Sequence, residues 1–210
     1  MGTREKIIST SIELFNDNRA TNVSTVHIAN ALGISPGNLY YYFNDKAHII
    51  RVIWNEEITP KLNEMFYDTE FGRSESGILR FFVRMATYAY RYRFFYLEIN
   101  SIFANDPELK DTFVRRAEKI MKYLESIVDS WISLGIMKPI EEIEKGWLIE
   151  NCWTMGQLWL TRAEILYPDK PIEEVAIDEV WHVYAMLKPH FTDVSNERIQ
   201  QLMKTIQIEM

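Results

Sequence analysis

The fold is decided by residues 28–46, which read IANALGISPGNLYYYFNDK. Gly33 lies between two short apolar segments, where a helix commonly ends in the left-handed conformation that glycine adopts most easily. Ser35 and Pro36 then favour a new helix, because serine caps the first turn and proline at the first helical position loses no needed N–H. The segment therefore predicts a helix at 25–32 capped by Ser24 or Thr25, a tight turn, and a second helix from 36 to 42 or 43.

Helical spacing of apolar residues continues on both sides of this segment, and no alternating strand pattern persists. The predicted helices cover residues 3–17, 25–32, 36–43, 46–67, 78–93, 95–104, 107–134, 141–166, 172–188 and 195–208. We expect an all-α protein with an N-terminal three-helix helix-turn-helix module in residues 1–46. We expect a long helix to join this module to a C-terminal helical bundle in residues 47–210.

The charge is unevenly distributed along the 210 residues, which are 47% hydrophobic and carry a net charge of −7. Residues 1–47 hold four bases and four acids, so the whole excess of acid lies in the remainder. Residues 20–44 carry no formal charge apart from a protonated His27. This asymmetry marks the first quarter of the chain as a separate module.

The sequence argues against catalysis, metal binding and cofactor binding. The four histidines lack a spacing suited to a metal on one helix face, and there is neither a glycine-rich phosphate loop nor a nucleophile elbow. Cys152 lies in an apolar stripe, where a buried and inert thiol is expected. No apolar run of about 18 residues and no secretory signal are seen, so we expect a cytoplasmic protein without a membrane partner.

Residues 28–46 resemble the helix-turn-helix of the TetR family of bacterial transcriptional regulators, and Thr3–Ile8 and Glu13–Phe15 match the first helix of that family. The resemblance is specific over residues 3–50 and covers only the general helical plan over 51–210. Val26 and His27 depart from it, since family members often carry an arginine and an acid there. The resemblance implies a homodimer that binds a palindromic double-stranded operator and a small-molecule effector.

The expected DNA contacts divide by chemistry into two groups. Base edges in the major groove are assigned to Pro36, Gly37, Asn38 and Tyr40, because the N-terminal residues of the second helix read DNA in this motif. Asn38 suits adenine and Pro36 suits a thymine methyl group. Phosphate contacts are assigned to Thr25, Tyr41, Tyr42 and Lys46.

Bulky apolar residues suggest a ligand pocket in the C-terminal bundle, so we expect residues 47–210 to form a ligand-binding and dimerisation domain. Core packing is the alternative for each of these residues. The candidate lining residues are Phe66, Phe82, Met85, Tyr88, Tyr92, Phe95, Phe103, Trp131 and Trp153. Two apolar stripes on the last long helices suggest a dimer interface, since a second apolar face must be buried against something. The candidate interface residues are Cys152, Met155, Trp159, Val180, Trp181 and Tyr184.

The sequence thus favours a sequence-specific DNA-binding regulator, in the form of a repressor released by a small apolar or amphipathic ligand. An activator would use the same contacts. A second interpretation is a small-molecule binding protein with a weak or vestigial DNA-binding module, and the uncharged segment 20–44 supports it.

Overall fold

The structure, a computed structural model, describes residues 2–205, and over these residues it is built from helices with one isolated bridge between Met137 and Phe191. The all-α prediction is confirmed. The helices are α1 (Thr3–Asn18), a 3₁₀ turn (Ala20–Asn22), α2 (Thr25–Leu32), α3 (Pro36–Tyr42), α4 (Lys46–Val52), a π-helical segment (Ile53–Ile58), α5 (Thr59–Phe66), α6 (Glu75–Arg91), α7 (Arg93–Leu97), α8 (Ile99–Asn105), α9 (Pro107–Ser133), α10 (Glu142–Leu166), α11 (Ile172–Leu187) and α12 (Asp193–Met203). No helix within 2–205 combines the length and the apolar character needed to cross a membrane.

The predicted helix 46–67 is continuous but changes its winding in the middle. The π-helical segment between α4 and α5 ends where the N–H of Thr59 bonds to the carbonyl of Trp54, five residues earlier. Pro60 follows at once and has no N–H to continue an α-helical ladder. The wider turn of the π-helix lets the N–H of Thr59, just before this proline, reach the carbonyl of Trp54. The sequence pattern did not indicate this π-helical segment.

Other helix boundaries also differ from the prediction for local reasons. The predicted helix 95–104 is divided into α7 and α8, because Glu98 leaves helical geometry with φ −118° and ψ 17°. The last helix begins earlier than predicted, since the Thr192 side chain caps it by accepting the N–H of Ser195 at 3.4 Å. The part of that prediction beyond residue 205 lies outside the described residues.

The chain forms two compact units. The first runs through Leu62 and also takes in Tyr92–Phe113, whereas the second consists of Asn63–Arg91 and the chain from Val114 onward. In the first unit Trp54 is buried and stacks on Phe95 with ring centroids 4.9 Å apart. The predicted functional boundary at residue 46 stays a prediction, since these units follow packing alone.

The second unit has an aromatic core of its own. Phe71 stacks on Phe81 at 3.8 Å between centroids and meets Trp131 edge-on at 5.6 Å. The indole N–H of Trp131 donates to the carbonyl of Phe71 at 2.9 Å, so the buried polar group of this tryptophan is satisfied.

Candidate nucleic-acid interface

Helices α2 and α3 are joined by a turn whose ends are both capped. The side chain of Ser24 accepts the N–H of His27 at 3.2 Å at the start of α2. Gly33 ends α2 in the left-handed conformation at φ 65°, and Ser35 begins α3 by accepting the N–H of Asn38 at 3.2 Å. These caps fix the two helices of a helix-turn-helix in the register that the sequence predicts.

The packing of α3 leaves its first turn open to solvent. Leu39 is fully buried, and Ile28 and Ala29 of α2 are also fully buried, so these residues join the two helices. Pro36, Gly37, Asn38 and Tyr40 are all exposed. The four candidate base-contacting residues therefore lie together at one helix end, where a DNA groove could reach them.

The three tyrosines of α3 have different environments. Tyr41 is 82% exposed and Tyr40 is 48% exposed, whereas Tyr42 is half-buried. The rings of Tyr41 and Tyr42 meet edge to face at 5.0 Å. The hydroxyl of Tyr40 shares a hydrogen bond of 2.9 Å with the side chain of Thr25, so α2 and α3 hold each other through two candidate DNA-contacting residues.

Lys46 is placed differently from the expected phosphate contact. Its amino group donates to the carbonyl oxygens of Ala20 at 2.5 Å and of Thr21 at 3.4 Å. Burial lowers the pKa of Lys46, and the nearby charge of Glu98 partly opposes this. The structure therefore directs the amine toward the protein, because two backbone carbonyls accept two of its three N–H donors.

Two arginines of the first unit are also engaged by carboxylates. Arg4 forms a two-pronged pair with Glu56, with N–O distances of 2.7 and 2.5 Å, and this contact lowers the pKa of Glu56. Arg51 binds Asp106 at 2.9 Å and Glu108 at 2.5 Å. Carboxylates thus neutralise Arg4 and Arg51, whereas Lys6 of α1 is exposed to solvent.

The candidate ligand-binding residues are divided between the two compact units. The first unit contains Tyr92, Phe95 and Phe103. The ring of Phe103 packs against that of Phe113, with centroids 5.1 Å apart. The other candidates, Phe66, Phe82, Met85, Tyr88, Trp131 and Trp153, belong to the second unit. Phe82 lines an apolar cavity of about 10 Å³ with residues of α6, α11 and α12, which is room for one water molecule.

The candidate interface residues on α10 and α11 fall into two sets. Trp159, Val180 and Tyr184 are buried inside the second unit, so the chain's own core already covers them. Cys152 and Met155 are half-buried, and burial together with Glu179 raises the pKa of the Cys152 thiol to about 12. Trp181 alone is exposed, at 40%. The predicted interface stays a prediction, and Trp181 is the member of it that the fold leaves most exposed.

Sequence reasoning also missed two charged residues that the fold brings into contact with distant elements. Glu98 accepts hydrogen bonds from residues 20 and 21, and Glu179 is buried and paired with Arg162 at 3.1 Å. Glu98 lies 77 residues from Thr21 in sequence, so no local pattern could indicate that contact. Glu179 lies on the apolar face of α11, so an acidic residue interrupts the apolar stripe there. This interruption was the sequence feature that could have indicated a buried charged pair.

Comparison with known proteins agrees with this arrangement. Residues 7–53 match the family described as bacterial regulatory proteins of the tetR family, and residues 62–205 match the TetR family described as a bacterial transcriptional repressor. The HTH-type transcriptional regulator AcrR of Shigella flexneri is 30% identical over 80 residues. These residues are 37% of this chain and 37% of AcrR, so the match spans little more than a third of that curated relative.

Solved structures extend the likeness to the whole chain. A TetR-family transcriptional regulator from Marinobacter aquaeolei VT8 is 26% identical and has a TM-score of 0.82, covering 97% of this chain and 98% of that one. The ketosteroid transcriptional regulator KstR2 of Mycobacterium tuberculosis is 12% identical with a TM-score of 0.66, covering 91% and 96%, and shows likeness of fold alone. Because the second family match alone covers more than half of the sequence, the chain belongs to the TetR family of bacterial transcriptional regulators.

Proposed function

We propose that this chain is a homodimeric repressor that binds a palindromic operator through α3 and is released by a small apolar or amphipathic ligand. The observation that carries the proposal is the capped α2–turn–α3 unit, whose exposed first turn of α3 presents Pro36, Gly37, Asn38 and Tyr40 together. An exposed helix start of this kind enters the major groove in helix-turn-helix proteins. The protein would act in the cytoplasm, where the operator lies.

The exposed side chains support separate roles at the DNA. The Asn38 amide can donate an N–H to N7 of adenine while its oxygen accepts from the N6 amino group of the same base. Pro36 offers an apolar surface to a thymine methyl group. Thr25, Tyr41 and Tyr42 carry hydroxyl groups that can bond to phosphate oxygens without adding charge.

Dimerisation in the proposal uses an exposed apolar stripe on α10. Ile143, Trp147, Leu158 and Ile165 are 61%, 59%, 55% and 70% exposed. They are separated by 4, 11 and 7 residues, which are close to whole numbers of helical turns, so they share one face. Trp181 of α11 is also exposed, at 40%, and we assign it to the same interface. We call these five residues the α10–α11 seam, and a two-fold partner would cover the seam with its own copy.

The ligand role is assigned to the second unit, which has a dense aromatic interior. The edge-to-face contact of Phe66 and Phe81 at 5.2 Å is typical of that interior. Arg84 is bound to Glu64 at 2.9 Å and to Asp68 at 3.3 Å, so the carboxylates of the chain already neutralise this guanidinium. An apolar or amphipathic effector therefore suits the unit better than an anionic one.

Direct binding to DNA tests the proposal. The full chain is titrated against the fragment upstream of its own gene and against a scrambled fragment of equal length, at the same salt concentration. We expect the native fragment to bind at least about a thousandfold more tightly. Equal binding to both fragments would rule out a sequence-specific operator in that fragment and count against the proposal.

A small-molecule binding protein with a vestigial head is the second candidate. It is favoured by one observation: Arg4, Lys46 and Arg51 bind acceptors within the first unit, which leaves fewer cations of that unit available to DNA. In that case the titration would show weak binding that ignores sequence, and a ligand would leave this weak binding unchanged.

A further inference from the structure

The turn between α1 and α2 has an uncommon backbone. Arg19 has φ 69°, the left-handed region that side chains other than glycine rarely adopt, and Ala20–Asn22 continue as a 3₁₀ turn. A residue in this region persists only where its surroundings hold it in place. We call residues 19–22 the α1–α2 turn. Because α2 begins three residues later, the geometry of this turn sets the position of α2 and of the α3 helix packed on it.

Glu98 binds the donors of the α1–α2 turn. Its carboxylate accepts the N–H of Ala20, the N–H of Thr21 at 3.1 Å and the hydroxyl of Thr21 at 2.5 Å. Glu98 lies between α7 and α8, and α7 is fastened to the end of α1 by two further contacts. The N–H of Phe94 donates to the Asn16 side chain at 3.1 Å, and Arg93 pairs with Asp17 at 3.2 Å.

Lys46 binds the acceptors of the same turn. Its amino group donates to the carbonyls of Ala20 at 2.5 Å and Thr21 at 3.4 Å, as described above. The backbone donors and acceptors of two consecutive residues are thus satisfied by two side chains of opposite charge. These side chains come from elements 52 residues apart in sequence. Charged partners make such hydrogen bonds stronger than neutral ones.

We propose that Lys46 and Glu98 form a latch on the α1–α2 turn that orients the DNA-reading helix, and that Lys46 is a positioning residue and not a phosphate contact. The proposal rests on the proposed operator binding. It adds that the segment 92–113 influences the orientation of α3, because Glu98 of this segment binds the turn before α2. Glu98 is remote in sequence from every candidate DNA-contacting residue, yet its loss should weaken operator binding.

Operator affinity and its salt dependence test the latch. Lys46→Met, Glu98→Ala and the double variant are titrated with operator over a range of salt. Each single variant should bind about tenfold more weakly, as expected for the loss of charged hydrogen bonds that orient the helix. The double variant should be little weaker than either single one, because both changes release the same turn. Glu98→Gln keeps one acceptor oxygen and should recover part of the affinity.

The slope of log K against log salt distinguishes the two roles of Lys46. A lysine that neutralises a phosphate contributes about −0.9 to this slope, hence about −1.8 for the two copies in a dimer. Lys46→Met should leave the slope unchanged, whereas Lys6→Met, which removes an exposed lysine of α1, should reduce its magnitude. A reduction of about 1.8 for Lys46→Met, or additive losses in the double variant, would overturn the latch.

Amide hydrogen exchange tests the latch on the protein alone. The amides of Ala20 and Thr21 should be protected in the wild type and exchange at least about tenfold faster in Glu98→Ala, since their acceptor is gone. Unchanged exchange at both amides would overturn the proposal even if operator affinity fell. If the wild type bound no operator, the proposed function would fail, and exchange would still decide whether the latch exists.

Discussion

Asn38 lies exposed in the first turn of α3, and its backbone N–H is held by the Ser35 cap. The cap uses the main chain, so the amide side chain stays available to a base. Asn38→Ala should weaken operator binding by about 1–3 kcal/mol and relax the preference at one base position per half-site. The measurement is a titration against operators substituted one base pair at a time.

A matched variant separates base reading from folding. Asn30→Ala removes an exposed asparagine of α2 near the other end of the turn and should leave the base preference unchanged. If Asn38→Ala kept the wild-type preference at every position, Asn38 would not read a base, and another residue of the first turn would have to do so.

Glu179 is buried at 4% exposure; its Oε2 pairs with Arg162, whereas its buried Oε1 has no hydrogen-bond partner. Burial raises the pKa of Glu179 to about 7, although the charge of Arg162 acts in the opposite direction. The folded chain therefore holds this proton more tightly than the unfolded chain, whose carboxyl titrates near 4.5. The free energy of unfolding should consequently fall by about 3 kcal/mol as pH rises from about 4.5 to about 7.5.

Glu179→Gln isolates this contribution from all other titrations. Below about pH 4.5 the variant and the wild type should have similar stability, because glutamine resembles the protonated acid. Near pH 7.5 the variant should be more stable by up to about 3 kcal/mol in denaturant unfolding. A variant less stable than the wild type at pH 7.5 would mean that the charged pair with Arg162 outweighs the cost of burial.

At the scale of elements, the start of α6 packs unusually closely against the preceding turn. A Cβ atom on Gly77 would lie 1.9 Å from the carbonyl oxygen of Glu70 and 2.3 Å from its carbonyl carbon. Both neighbours are backbone atoms, so the helix start would have to move. Gly77→Ala should therefore destabilise the protein by at least about 2 kcal/mol in denaturant unfolding.

Gly156→Ala is the matched control. Gly156 lies inside α10 with nothing within 4 Å of the added Cβ, so the same substitution meets no obstacle there. Alanine favours the helix, and this variant should be more stable by about 0.5–1 kcal/mol. If Gly77→Ala were also neutral or stabilising, the close approach to Glu70 would not constrain the start of α6.

The helices that begin with clear caps could be predicted closely from the sequence. Ser35 with Pro36 and the left-handed Gly33 define α3 and the end of α2 at the expected residues, because a cap is a local interaction between near neighbours. The π-helical segment and the break at Glu98 were not predicted. They depend on Pro60 and on hydrogen bonds to residues 20 and 21, and a periodicity window does not include such contacts.

Site prediction from the sequence had a similar limit. The exposed first turn of α3 follows from which residues the helix must bury, and the sequence indicated it. The direction of Lys46 did not follow, since both a phosphate and a carbonyl attract an amine. On α10 nearly every face carries apolar residues, so the pattern could not say that Trp159 lies inside and Leu158 outside.

At the scale of the whole molecule, the α10–α11 seam predicts the oligomeric state. Leu158 is 55% exposed, so Leu158→Glu should leave the fold of each chain intact. In the dimer the two-fold axis would bring two carboxylates into a desolvated contact, which costs several kcal/mol. Light scattering should show a dimer for the wild type and a monomer for Leu158→Glu.

Val194→Glu provides the control for this change. Val194 is 58% exposed and lies in the first turn of α12, where an acid is compatible with the helix dipole. This variant should remain dimeric. A stable dimer for Leu158→Glu, or a monomer for Val194→Glu, would place the interface on another surface.

The charge of the whole molecule predicts how operator binding responds to salt. Arg4, Lys46 and Arg51 are engaged within the first unit, which leaves the exposed Lys6 as the cation of α1 that is ready to meet a phosphate. Two copies of Lys6 give a slope of log K against log salt of about −2, and a slope of about −4 follows if Arg4 also leaves Glu56. The net charge of −7 per chain should further weaken non-specific binding, because the acidic surface repels the duplex.

With a slope of about −2 to −4, operator affinity should fall only about thirtyfold to a thousandfold between about 50 and 300 mM salt. A slope near −10 would contradict this account, because it requires about ten phosphate contacts from cations. The DNA-binding module would supply only part of that number even if it released all of its internal ion pairs.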